Sequence, residues 1–274
     1  MYKLILASQS PRRRELLKML GIEFDIKVSN CEEIITSSEP AQVTMELAKQ
    51  KAMAVANELV KQKAFETEIA DVRAASDAKN KENIIIIGAD TVVAADGEIL
   101  GKPKDKDDAR RMINKISGTS HQVYTGVALV LVKGDKAACI ELFAEKTDVE
   151  VCEMSSQEIE DYINSDEPYD KAGGYGIQGI FGKFVSGIRG DYNNVVGLPV
   201  HRLYYTLKEC AKSILHKAAM RFLHGGGRHI MYVDWEYYKI FYYVAKYTFL
   251  ALGYRGISIY NLLAMLYAVV AIKI

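Results

Sequence analysis

The chain has 274 residues, of which 49% are hydrophobic and 26% charged, and its 35 Lys+Arg balance 35 Asp+Glu. That length supports one large domain or two small ones with a full hydrophobic core, and the composition is that of an ordinary globular protein. Zero net charge excludes a strongly basic nucleic-acid binder, so any basic feature has to be local.

The first local feature is LILASQSPRRRELLKMLG, residues 4 to 21. Residues 3 to 8 read as a buried strand. Ser10 fits an N-cap, Pro11 fits the first helical position, and Leu16, Leu17 and Leu20 form one apolar face before Gly21. Three arginines at a helix start are unfavourable, because that end already carries partial positive charge. Open backbone N–H groups there suit a phosphate, so a phosphate-bearing ligand is one way to offset them.

A long helix is expected over about 40 to 63, with Leu47, Val55 and Leu59 on one stripe and Lys51 among them. Residues 62 to 83 are polar and read as a helix extension followed by a solvated loop. Ile84 to Ile87 then form a buried strand, with Asp90 placed just past its end, where α/β sheets hold ligands. Ala95-Asp96-Gly97 signals a hairpin that pairs Thr91–Ala95 with Glu98–Leu100. Residues 105 to 116 form an amphipathic helix stopped by Gly118. Two long strands follow, joined at Gly134-Asp135, and Ser155 with Glu158 makes a capping box for a helix to Ile163. Residues 164 to 183 read as a glycine-dense loop, and a last helix is expected at roughly 198 to 213. The mixture indicates α/β or α+β with a mixed sheet.

Four segments concentrate unusual side chains: Ser8 to Arg13, Glu32-Glu33, Gly88 to Thr91 with Gly101 to Pro103, and Asp170 to Gly173. Arginine forks and lysines bind phosphate, whereas carboxylates hold Mg²⁺ or activate water. Together they suggest a metal–polyphosphate site. Each piece also has an ordinary reading: Lys51 snorkelling to water, Glu32-Glu33 as surface charge, Asp90 capping a turn, Lys102 in a hairpin.

In this order the segments resemble the Maf family of nucleoside triphosphate pyrophosphatases. The matching pieces are LILASQSPRRRELL, Glu32-Glu33, LAKQKA at 47–52, IGADTVV at 87–93, GKP at 101–103, SGTSHQVYTGVAL at 117–129, EPYDKAGGYGIQG at 167–179 and GDYNNVVGLP at 190–199. The resemblance covers about 1 to 213. It implies an α/β fold with a mixed, elongated sheet flanked by helices around a central cleft. It also implies hydrolysis of a nucleoside triphosphate between the α and β phosphates to a monophosphate and pyrophosphate. By family role Asp90 is the proton acceptor, and Glu33 and Asp90 face a divalent metal, Mg²⁺ or Mn²⁺. Arg13, Lys51 and Lys102, with Ser8 and Ser10, contact phosphate. Arg12, Thr91 and Gln178 fall on the positions that track substrate choice, in the form that looks like the branch acting on dTTP and UTP. A Gln amide, which both donates and accepts, suits a pyrimidine edge.

The resemblance implies a homodimer, and the zero net charge argues against a nucleic-acid partner. The alternatives are a non-enzymatic regulator of septum formation and a membrane-tethered nucleotide-binding module. The N-terminal apolar run is too short for a signal peptide, and Cys31, Cys139, Cys152 and Cys210 show no metal spacing, which points to the cytoplasm. Residues 214 to 274 are expected to be a non-family, helical, apolar extension. Its run at 257 to 272 is shorter than the roughly 20 residues that span a bilayer, leaving interfacial membrane contact as the lesser alternative to a non-catalytic appendage.

Overall fold

The computed structural model describes residues 2–28, 31–70 and 83–211. All of them belong to the first of two units into which the chain divides, Met1–Ile214 and Leu215–Ile274. The expected extension at 214–274, and residues 71–82 of the expected polar loop, lie outside the described residues.

The order is β1 (Tyr2–Leu6), α1 (Pro11–Lys18), β2 (Asp25–Ile26), α2 (Pro40–Ala70), β3 (Asn83–Ala95), β4 (Glu98–Leu100), α3 (Lys106–Ile116), β5 (Ser120–Lys133), β6 (Lys136–Val151) and α4 (Ser156–Ile163). Three 3₁₀ turns, β7 (Val185–Arg189), α5 (Tyr192–Val196) and a helix α6 from 200 to 211 follow. The strands form one mixed sheet in the order β2-β1-β3-β5-β6-β7, with β4 also on β3. β1 runs parallel to β2 and β3, and the remaining pairs are antiparallel.

The apolar run at the start of β3 is continuous because both faces of the sheet are covered there. Ile84 and Ile86 pack with Ala48, Ala52 and Val55 of α2, while Ile85 and Ile87 pack with Leu16 and Leu17 of α1 and Leu203 of α6. A third cluster joins Val93, Leu100 and Val123 to Met112, Ile113 and Ile116 of α3 and to Ile159 and Tyr162 of α4. The local signals for these helices hold: Asp105 caps α3, and Ser155 and Glu158 form the complete capping box of α4. Asp96 and Gly97, both at positive φ, make the β3–β4 turn.

Three expectations change, and one short helix is added. β3 runs unbroken from Asn83 to Ala95, so Asp90 lies inside a strand, not past its end; pairing with β5 from Ile84 to Ala94 carries the strand on. The hairpin is shorter than expected, pairing only Val93–Ala95 with Glu98–Leu100, because Thr91 and Val92 have no β4 partner. The expected last helix is found as α6, and a short helix that was not expected, α5, precedes it and ends at Gly197, whose φ of 129° separates the two. The glycine-dense loop is a chain of 3₁₀ turns held from inside by Glu167. Its carboxylate accepts from the N–H of Ile180 at 2.6 Å, the N–H of Phe181 at 3.3 Å and the Tyr162 hydroxyl at 3.1 Å.

One buried group gives this fold an acid-sensitive point. His121 on β5 is fully buried, with Nε2 2.6 Å from the Tyr175 hydroxyl and Nδ1 unpartnered. Desolvation pushes its pKa from 6.5 down to about 4. Between those values the unfolded chain takes up a proton that the folded chain refuses, so stability is full above the unfolded pKa and is lost as pH falls through the window. The unfolding free energy from urea titrations is expected to fall between pH 7 and 4 by up to ~3 kcal/mol more in the unsubstituted chain than in His121→Phe. Equal slopes in the two proteins would remove this role from His121.

Candidate active site

The joint between β1 and α1 supplies one wall. Ser8 Oγ accepts from the Ser10 N–H at 3.2 Å, and Ser10 Oγ caps the helix by accepting from the Arg13 N–H at 3.4 Å. No acidic residue stands in the first turn of α1 to offset the arginines.

The three arginines part company. Arg14 is exposed. Arg12 is partly exposed and lies 3.9 Å from the Asp170 carboxylate, a weak pair. Arg13 turns inward: Nε donates to the Gly197 carbonyl at 2.8 Å, Nη2 to Thr91 Oγ1 at 2.9 Å and Nη1 to Ser8 Oγ at 3.5 Å. Burial lowers its pKa, and the nearby Asp90 charge opposes that effect. A guanidinium has five N–H donors, so these bonds leave one on each terminal nitrogen.

The opposite wall is α2. Lys51 Nζ reaches over β3 to Asp90 Oδ1 in a short ion pair and to Glu33 Oε1 at 2.9 Å. Burial disfavours the Lys51 charge, but Asp90 and then Glu33 more than compensate, and the pKa is raised. Lys51 is therefore a fixed cation between two carboxylates, not a snorkelling surface lysine. The segment that carries Glu33 is pinned to α2 by Gln50, which accepts from the Ile34 N–H at 2.9 Å and donates to the Ile34 carbonyl at 2.5 Å. Glu46 holds Thr36 beside it, its carboxylate accepting from the Thr36 N–H at 3.0 Å and the Thr36 hydroxyl at 2.6 Å.

These groups line one cleft of about 560 Å³, together with Ser10, Lys102, Gln178 and the apolar side chains of Ile35, Val43 and Val92. Of the ten residues singled out in the sequence, nine line it, and Ser8 touches it only through Ser10 and Arg13. Lys171 and Asp170 also line the cleft but received no assignment from the sequence. Lys171 Nζ donates to the Glu167 carbonyl at 2.6 Å and to Asp170 at 2.5 Å. The signal was the Asp170-Lys171 step before the glycines, in a segment singled out for its unusual side chains but given no individual role.

The family model described as Maf-like protein matches residues 3–210. The chain belongs to the Maf family. A relative from Agathobacter rectalis named dTTP/UTP pyrophosphatase is 48% identical over 209 residues, covering 76% of this chain and 98% of the relative. One of the same name from Lachnoclostridium phytofermentans is 45% identical over 210 residues, covering 76% and 95%. Among solved structures, a HAM1 protein from Coxiella burnetii aligns with a TM-score of 0.40 at 16% identity, over 76% of this chain and 100% of that one. All the segments around the cleft of this Maf protein fall within the matched residues.

Among the described residues no group of three or more His, Cys, Asp or Glu could hold a metal by itself. Glu33 and Asp90, which converge on Lys51, nevertheless fit a hard divalent cation, since Mg²⁺ is commonly held by one or two carboxylates plus substrate phosphates and waters. Among the described residues no helix is long and apolar enough to cross a membrane.

Proposed function

We propose that this Maf protein hydrolyses dTTP and UTP, and modified pyrimidine triphosphates of the same shape, to the monophosphate and pyrophosphate in the cytoplasm. One observation carries the reading: Arg13, Lys51 and Lys102 line the same cleft as Asp90 and Glu33. The curated relatives bearing the dTTP/UTP pyrophosphatase name support the substrate class.

In this reading the triphosphate enters the cleft along the α1 wall. The two remaining Arg13 N–H groups and the Lys51 and Lys102 ammoniums bind its oxygens. Asp90, held inside a strand and only 13% exposed at its side chain, takes the proton of the attacking water as the α–β bridge breaks and pyrophosphate leaves. Glu33 and Asp90 would hold Mg²⁺ or Mn²⁺, which when bound supplies charge neutralisation on the phosphates. Gln178 and the apolar wall face the base, and Arg12, loosely paired with Asp170, is available to select it.

The test is pyrophosphate release from dTTP, UTP and 7-methyl-GTP with Mg²⁺. Turnover of the pyrimidine nucleotides is expected to dominate, and absence of turnover with all three overturns the reading. In the same assay Arg12→Ala is expected to shift the ratio of kcat/KM for dTTP over 7-methyl-GTP by roughly tenfold or more, the scale of one charged hydrogen bond. Arg14→Ala, on the exposed side of α1, should stay within about twofold. Equal shifts in both variants would take substrate selection away from Arg12.

A further inference from the structure

Beneath the cleft lies a line of hydroxyls that the proposed chemistry does not use. Thr125 on β5 is fully buried, and its Oγ1 donates to the Asn194 carbonyl at 3.0 Å. Thr125 Oγ1 also lies 2.9 Å from Thr91 Oγ1, and Thr91 Oγ1 accepts from Arg13 Nη2 at 2.9 Å.

Each hydroxyl has a single proton to give. Thr125 gives its proton to Asn194, so the Thr91–Thr125 bond must run from Thr91 to Thr125. Every donor is then fixed: Arg13 to Thr91, Thr91 to Thr125, Thr125 to the Asn194 carbonyl. At its other edge the Arg13 guanidinium donates from Nε to the Gly197 carbonyl. Both ends of the circuit therefore rest on the same short segment, α5 and the glycine that ends it. That segment is held in turn. The Asn194 side-chain amide donates to the Val123 carbonyl at 3.1 Å and to Thr147 Oγ1 at 2.9 Å. Thr147 Oγ1 donates to the Asp191 carbonyl at 3.0 Å, at the start of α5.

We propose that Thr125 is a positioning residue for Arg13: the directed Thr91–Thr125–Asn194 chain fixes the guanidinium so that its two remaining N–H groups are presented to the triphosphate. The inference rests on the phosphate-binding reading of Arg13. It makes Thr91 a link in the support of the phosphate site as well as a lining residue of the cleft. A guanidinium clasped at two edges loses little further freedom when it binds, whereas one held only at Nε and by the long Ser8 contact has to be ordered by the ligand.

The experiment is a double-mutant cycle on binding of α,β-methylene dTTP, which cannot be cleaved at the α–β bridge, measured by calorimetry with Mg²⁺ for the full chain, Thr125→Val, Arg13→Ala and the double variant. Thr125→Val is expected to weaken binding roughly tenfold, the scale of one hydrogen bond to a charged group. In the Arg13→Ala background it should change binding by less than about twofold, because the effect passes through Arg13. Thr125→Ser, which keeps the hydroxyl, should restore most of the loss. Equal losses in both backgrounds, or no loss from Thr125→Val, overturn the proposal. If Thr125→Val does not fold, Thr91→Val breaks the same chain one hydroxyl nearer to Arg13, and additivity in its cycle overturns the proposal equally. Because binding is read and not turnover, failure of the pyrophosphatase reading would appear separately, as an unsubstituted chain that binds the analogue but releases no pyrophosphate from dTTP.

Discussion

Asp90→Asn is expected to lower kcat for dTTP on the order of 10³-fold while leaving the α,β-methylene analogue bound, because the amide keeps the shape of the carboxylate but cannot accept a proton. The site makes this variant informative. Asp90 sits inside β3, flanked in the ladder by residues paired with β5, so exchanging one planar group for another leaves the backbone in place. What the exchange does disturb is the Lys51 cluster. Asp90 and Glu33 both face Lys51, and their charges favour its ammonium form over the opposing effect of burial. With Asn at position 90, Glu33 remains as its partner, so the lysine keeps its charge and the phosphate site keeps its cation. A fall in kcat far larger than the fall in analogue affinity, where Glu33 still holds the cation, therefore identifies a proton acceptor. Analogue affinity that falls as far as kcat would mean that Asp90 acts only through the cation it shares with Glu33 and not as a proton acceptor, and turnover within tenfold of the unsubstituted chain would remove Asp90 from the chemistry.

How much of this site could be read in advance depends on whether the determining contact is local. Ser10 capping α1, the Ser155–Glu158 box and the apolar face of α3 are set by residues three or four positions apart, and the sequence displays them directly. The ion pair of Lys51 with Asp90 joins residues 39 positions apart. No spacing rule shows it, and in isolation Lys51 reads as a lysine on an apolar stripe. The resemblance to the Maf family supplied that assignment. The splitting of the arginines has the same character. Their order along α1 is visible, but which one turns inward is decided by the Gly197 carbonyl, 184 positions away. The 3₁₀ turns after α4 were hidden for another reason: glycine-rich stretches have no periodicity, and their order comes from one half-buried carboxylate, Glu167, accepting from the N–H groups of Ile180 and Phe181. Thr125 looked like an ordinary strand residue, and Asn194 fell ahead of the expected last helix with no role, because a hydroxyl chain leaves no pattern in sequence.

Gly88→Ala is expected to cost about 3 kcal/mol or more, at the upper end of overpacking penalties, and the reason lies in how α2 is seated. Leu47 and Val55 are buried as their periodicity suggests, but the surface laid against the sheet is a row of small residues at four-residue spacing, Thr44, Ala48, Ala52 and Ala56, each fully buried. Small side chains let the helix backbone come down onto the strands, and the strands answer with glycines. A methyl group on Gly88 would fall on the Ala48 carbonyl oxygen and lie 2.9 Å from Ala52 Cβ; one on Gly126 would fall on the Thr44 carbonyl and lie 2.6 Å from the Met45 nitrogen. Backbone atoms in mid-helix cannot yield as a side-chain tip can, so the helix has to move. Lys51 is three positions beyond Ala48 on that helix, and lifting it draws the ammonium away from Asp90. Thermal unfolding should accordingly fall by roughly 6–12 °C for a domain of this size. Phosphate binding should weaken even at temperatures where the variant is fully folded. Gly101→Ala, where an added methyl group meets nothing within 4 Å, serves as the stability control. A Gly88→Ala protein that melts within about 2 °C of the unsubstituted chain would show that α2 does not rest on the strand through this glycine. One that melts early but keeps its affinity would break the link between the helix seat and the placement of Lys51.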